Sequence, residues 1–82
     1  MILADQIREY VRKEIIVPSR QKGLTIVHIK AGDVHSAIGL QNRMPAVCAA
    51  LDAEKFLDYA QVILVRRSGP HQGSSAEWVF QI

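Results

Sequence analysis

Eighty-two residues suffice for one domain near the lower end of what folds unaided, and a 49% apolar content fills a small core and excludes a chain that is disordered by composition. Ten Lys and Arg against eight Asp and Glu leave a net charge of +2, which permits a polyanionic partner without demanding one. No apolar run approaches the roughly 20 residues of a membrane span, and a lone Cys48 excludes an internal disulfide and a thiolate pair for structural zinc.

The opening, MILADQIREY, lacks the charged-then-apolar order of a secretion signal, so a cytoplasmic setting is expected. Leu3, Ile7, Tyr10, Val11 and Ile15 recur at helical spacing with Asp5, Arg8, Glu9, Arg12 and Lys13 between them, which predicts an amphipathic helix over about residues 3–16. Glu9 and Lys13 stand four apart in the favourable order. Pro18 either ends this helix or opens a further turn through Ser19 to Lys22, and Gly23 closes the unit in both cases. Leu24 to Lys30 is rich in β-branched residues and reads as a strand, with Ile26 directed inward and Ile29 as the second inward candidate.

The stretch from Ala31 to Tyr59 organises the rest. Gly32-Asp33 signals a helix start, with the Asp33 carboxylate accepting from the first free N–H groups. Val34, Ala37 and Ile38 then share one helical face, and Gly39 ends the helix because it takes the left-handed conformation without steric cost. Leu40 follows as an apolar anchor. Gln41-Asn42-Arg43 forms a polar turn in which Asn42 caps the next helix, and Pro45 is tolerated in that helix's first turn. Val47, Cys48, Ala50 and Leu51 supply its apolar face, and the helix is expected to continue through Phe56 and Leu57 to about Tyr59. Two short helices around a glycine turn have the form of a helix-turn-helix, whose second helix usually serves the major groove of DNA.

Val62 to Arg67 reads as a second strand, residues 68–75 as a long exposed hairpin loop, and Glu77 to Ile82 as a third strand with Trp78, Phe80 and Ile82 on one face. The order is helix, strand, helix, turn, helix, strand, loop, strand, without internal repeat or linker. The expectation is therefore a single α+β domain over residues 1–82, its closing hairpin covering one end of a three-helix core.

This order resembles the winged-helix variant of the helix-turn-helix over essentially the whole chain, carried by Val34, Ile38, Gly39, Leu40, Val47 and Leu51 and by the glycine-flanked loop between two strands. The block GDVHSAIGLQNRMPAVCAALDAEKF is similar to small prokaryotic winged-helix domains, some associated with restriction or other DNA-processing systems. Two departures stand out. His35 occupies the position four before the turn glycine where the familiar pattern has alanine, and the turn is about two residues longer than usual.

The resemblance implies a three-helix core with a small antiparallel sheet and a β-hairpin wing, and binding of double-stranded DNA. Gln41, Asn42, Arg43, Pro45, Ala46 and Ala49 are the outward positions at the start of the groove helix. Arg43 suits guanine, and Gln41 or Asn42 adenine. Arg66, Arg67, His71, Gln72, Ser74 and Ser75 lie on or beside the wing, while Lys30 and Lys55 are placed to reach phosphates.

Each of these residues also has a plainer structural role. Asn42 and Arg43 serve equally as a helix cap and a solvated charge, and Ser74 and Ser75 as the tip of a soluble hairpin. Arg66 and Arg67 alternate on a strand, so at most one faces a ligand. His28, His35 and His71 are scattered, which argues against a metal site, and Cys48 reads as a buried inert thiol. Asp52, Glu54 and Asp58 form an acidic stripe that would repel DNA, so that only the first half of the groove helix enters. There is no phosphate-cradling glycine loop or dinucleotide fingerprint and little room for an enclosed pocket, so neither an enzyme nor a cofactor is expected.

A single copy contacts few base pairs, so a second copy or a larger partner protein is expected, with Leu3, Tyr10 and the last strand as candidate surfaces. The alternatives are a winged-helix module for protein contact and a DNA-binding subunit of a restriction or DNA-processing system. Whether Arg43, Arg66, Lys30 and Lys55 share one face discriminates DNA from protein as the partner.

Overall fold

The computed structural model describes residues 2–82 as an α+β domain in which helices pack on one face of a three-stranded antiparallel sheet. The chain begins with a helix in three segments: α1 (Leu3–Val11), a π-helical turn (Arg12–Ile16) and α2 (Val17–Gln21). It thus runs past the expected end at residue 16. Pro18 has no N–H and its ring crowds the carbonyl four residues back. The widened turn before it, in which the Val17 N–H reaches the Arg12 carbonyl, carries the helix past this obstacle. The helix stops where Gly23 donates to the Arg20 carbonyl at 3.0 Å and Leu24 to the Ser19 carbonyl at 3.0 Å.

Strand β1 (Ile26–Lys30) directs Val27 and Ile29 into the core and leaves Ile26 exposed. The expectation for Ile26 is corrected by parity, since residues three apart on a strand face opposite sides. Helix α3 (Ala31–Ile38) follows at once, so Asp33 lies inside the helix and caps nothing. The first amides of α3 are taken by the hairpin loop instead. Ala31 N–H donates to the Ala76 carbonyl and Gly32 N–H to the Ser74 carbonyl, each at 2.9 Å. Val34 is buried and Ile38 half-buried, but Ala37 is exposed and leaves the expected face. Gly39 ends α3 at φ +79°, as its position before Leu40 predicted.

Helix α4 (Met44–Asp52) buries Val47, Cys48, Ala50 and Leu51, but it stops seven residues before Tyr59. Ala53 is extended (φ −78°, ψ 139°), and α5 (Glu54–Ala60) starts afresh. A continuous helix would have carried Glu54, Lys55 and Asp58 onto the face occupied by Val47 and Leu51. The break re-phases the chain so that Phe56 and Ala60 are buried. Arg20 closes the far end of α5 by donating from one Nη2 to the Ala60 carbonyl at 2.9 Å and the Gln61 carbonyl at 2.6 Å.

Strands β2 (Ile63–Ser68) and β3 (Glu77–Gln81) complete the sheet in the order β1-β3-β2. Phe80 lies opposite Val27 and Leu64, and Trp78 opposite Ile29 and Arg67, on the core side. Phe56 packs its ring 5.4 Å from that of Phe80, which ties α5 to the sheet. Ile26, His28 and Lys30 take the outer face with Gln81, Val79, Glu77, Ile63 and Arg66. A bulge between Leu64 and Arg66 marks β2, an edge strand with Ile63, Leu64 and Val65 exposed. No helix of the described residues is long and apolar enough to cross a membrane.

Two glycines separate backbone strain from collision. A Cβ on Gly39 meets open space, so Gly39→Ala is expected to cost about 1 kcal/mol from its left-handed backbone alone. Gly69, at φ +84°, would also place a Cβ 2.5 Å from the Ser75 carbonyl oxygen, so Gly69→Ala should cost more. Urea unfolding followed by Trp78 fluorescence measures both.

Candidate functional site

The turn before α4 is set by an interaction absent from the sequence expectations. Asn42 does not cap α4. It sits at φ +55°, and the Arg43 N–H donates to Nε2 of His35 at 3.2 Å. The contact requires an unprotonated Nε2. An alanine at position 35 would leave that amide to water, so the unusual histidine and the longer turn belong together. Gln41, Asn42 and Arg43 are exposed, as are Pro45 and Ala49 on α4. Ala46 is half-buried against the core and offers less of an outward surface than expected.

Beside α4 lies the loop that joins β2 to β3. Arg67 holds it. The guanidinium donates from Nε to Asp52 Oδ1 at 3.0 Å and from Nη2 to Asp52 Oδ2 at 3.2 Å. It also donates from Nη1 to the carbonyls of Ser68 (2.9 Å) and Pro70 (3.0 Å), and from Nη2 to that of His71 (3.0 Å). These contacts use all five N–H groups of an arginine. Its plane stands 4.9 Å from the Trp78 ring centroid, and the Trp78 indole N–H donates to Asp52 Oδ1 at 2.7 Å. Arg67 is therefore occupied within its own domain, and it leaves the set of expected DNA contacts.

The same cluster sets the charges nearby. Burial pushes the Asp52 carboxyl up, but hydrogen bonds from Arg67 and Trp78, with the charges of Arg67 and His71, outweigh it and hold the group below its ordinary value. The hydrogen bond to Asp52 in turn raises Arg67 further above its ordinary value. Cys48 sits on the side of α4 that meets the loop, its thiol donating to the Gly73 carbonyl at 3.9 Å. Burial pushes that thiol up, the Arg67 charge opposing and the Asp52 charge adding to the shift, so the sulfur is held in its unreactive form.

His71, Gln72, Ser74 and Ser75 remain exposed on this loop, while its backbone is fastened to α3 through Gly32 and Ala31. The loop meets α4 at Cys48 and Asp52, while residues 41–43, Pro45 and Ala49 are exposed at the turn and along the same helix. The remaining expected cations lie elsewhere. Lys30 and Arg66 stand exposed on the outer face of the sheet, Lys30 at its junction with α3 beside Tyr10 and Ile15. Lys55 lies on α5, its Nζ 3.7 Å from Asp5 Oδ1. Arg43, Arg66, Lys30 and Lys55 do not gather on one face. The acidic stripe is also dissolved, since Asp52 is neutralised by Arg67 and Glu54 and Asp58 belong to the separate α5.

Sequence reasoning missed the Asp52–Arg67–Trp78 cluster because its members are 15 and 26 residues apart and follow no motif. Among the described residues, no group of three or more His, Cys, Asp or Glu stands where it could hold a metal ion. Comparison of the chain with protein-family models, curated proteins and solved structures finds no match.

Asp52→Ala leaves the buried indole N–H and two of the guanidinium N–H groups without their partner and is expected to cost about 2 kcal/mol at neutral pH. Arg67→Lys, with fewer donors and no planar fork, should cost at least about 1 kcal/mol. Because the folded-state value of Asp52 is depressed, its contribution is present above the ordinary carboxylate pKa and is lost as pH falls through the folded value. Urea unfolding of the wild type and Asp52→Ala across the acidic range should therefore converge at low pH.

Proposed function

We propose that this chain is a winged-helix domain that binds double-stranded DNA, as a transcriptional regulator or as the DNA-reading part of a larger restriction or DNA-processing assembly. The carrying observation is the uncovered outer side of residues 41–43 and of Pro45 and Ala49, on a helix whose Cys48 and Asp52 hold the β2–β3 loop. The element order and the β1-β3-β2 pairing support the family reading. In this arrangement α4 enters the major groove by its first turns. Arg43 offers a bidentate fork to guanine, and Gln41 and Asn42 offer amides to adenine. Pro45 and Ala49 are small enough for close approach and for contact with a thymine methyl. His71, Gln72, Ser74 and Ser75 meet the backbone from the loop. The domain acts by binding alone, without a cofactor.

A second reading, a module for protein contact, is favoured by one observation: the free edge of β2 exposes Ile63, Leu64 and Val65 in succession.

Fluorescence anisotropy with a labelled duplex separates the two. With Arg43 as the cation placed on that surface, the logarithm of the affinity should fall with the logarithm of salt with a slope near −1. Arg43→Ala should weaken binding about tenfold. Lys22→Ala, beyond the end of α2, should leave it little changed. Absent or salt-independent duplex binding would overturn the DNA reading in favour of protein contact.

A further inference from the structure

A cleft lies between α1 and α5. It measures about 230 Å³ and is lined by Asp5, Arg8, Glu9, Lys55 and Tyr59. Arg8 is the feature that distinguishes it from a crease between helices. It is 9% exposed, the one charged residue buried among those described. Its Nε donates to the Ala50 carbonyl of α4 at 3.0 Å and its Nη1 to Asp5 Oδ1 at 3.1 Å. Among the described residues its Nη2 has no hydrogen-bond partner and no buried polar side-chain atom lacks one, so Nη2 keeps some exposure on a residue that lines the cleft. Lys55, with a side chain 67% exposed, stands at the rim within 3.7 Å of Asp5. Glu9 is exposed and carries no ion pair among the described residues. Tyr59 forms an aromatic wall, with the Arg12 guanidinium 5.5 Å from its ring centroid.

The lining carries two cations and two anions around a wall made chiefly of aliphatic stems and one ring. A simple anion would meet Asp5 and Glu9, and a simple cation would meet Arg8 and Lys55. A molecule carrying both charges on one carbon offers an anion to Arg8 and Lys55 and a cation to Glu9, with Asp5 left to its two existing partners. The volume is below the roughly 300–1,000 Å³ of pockets for drug-sized ligands, which limits the occupant to about the size of one amino acid.

We propose that this cleft binds a free α-amino acid with an apolar side chain. Its carboxylate accepts from Arg8 Nη2 and the Lys55 ammonium, its ammonium donates to Glu9, and its side chain lies against Tyr59 and the Arg8 stem. Since Arg8 also holds the Ala50 carbonyl, the occupied cleft is joined to α4 by a single side chain. The binding claim is independent of the DNA reading and is measured without DNA.

The test is a titration of the isotopically labelled full chain, followed by amide NMR, with L-leucine, N-acetyl-L-leucine and L-leucinamide. Leucine should give saturable shifts at residues 5–9 and 55–59, extending to residues 50 and 51. Each blocked analogue lacks one charge and should bind about tenfold more weakly, the loss expected for one charge-assisted contact. Glu9→Gln, an exposed change whose fold is checked by Trp78 fluorescence, should weaken leucine binding by a similar factor. No saturable shift by about 10 mM, tenfold above a millimolar dissociation constant, would overturn the proposal. So would analogues that bind as well as leucine, or a Glu9→Gln variant that binds it unchanged.

Discussion

The fixed relation between α4 and the β2–β3 loop rests on one guanidinium. Arg67 spends two N–H groups on Asp52 and three on the carbonyls of the loop that follows it. Loop carbonyls that would otherwise turn to water are gathered on one planar group. That group is held in place by a carboxylate from the last residue of α4 and by the face of Trp78. Lysine offers neither the plane nor the number of donors. The cluster also explains why α4 ends where it does. Asp52 is held by partners on two strands, and the chain must re-phase immediately afterwards to bring Phe56 against Phe80.

Much of the fold was legible because burial follows hydrophobic period. Ile7 and Val11, Val47 and Leu51, and Trp78 and Phe80 are core residues at the spacings that predict them. The misreadings share a cause: a distant group decided the local outcome. Asp33 has the chemistry of a cap, but the carbonyls of Ser74 and Ala76 reached the first amides of α3 before it. Asn42 has the chemistry of a cap too, but it sits at φ +55° one residue before the N-cap position, and the Arg43 amide that follows it is taken by His35. The break at Ala53 is different, because its signal was present in the sequence. Glu54, Lys55 and Asp58 fall in phase with Val47 and Leu51, and an uninterrupted helix would have buried three charges.

The candidate site was legible in its position and less so in its charge. A polar turn after Gly39 could be read as exposed, and residues 41–43 are exposed. Which cations remain available could not be read, because ion pairing is a property of the tertiary structure. Arg8 and Lys55 share Asp5, Arg20 caps α5 and Arg67 holds the loop. The formal charge of +2 therefore says little about any one surface. Arg66 and Arg67, neighbours in sequence, end on opposite faces of the sheet.

These placements constrain how the proposed groove helix would read sequence. Its exposed residues beyond the turn, Pro45 and Ala49, carry no side-chain donors, so hydrogen bonds to base edges must come from residues 41–43. His35 holds the Arg43 amide of that turn, so on the DNA reading discrimination by Arg43 would depend on how firmly one imidazole holds it. The loop contributes alignment in place of charge, because its arginine is spent internally. On the DNA reading proposed above, a single domain would gain more specificity from shape and close approach than from electrostatic attraction, and a second binding unit would be the physical route to useful affinity.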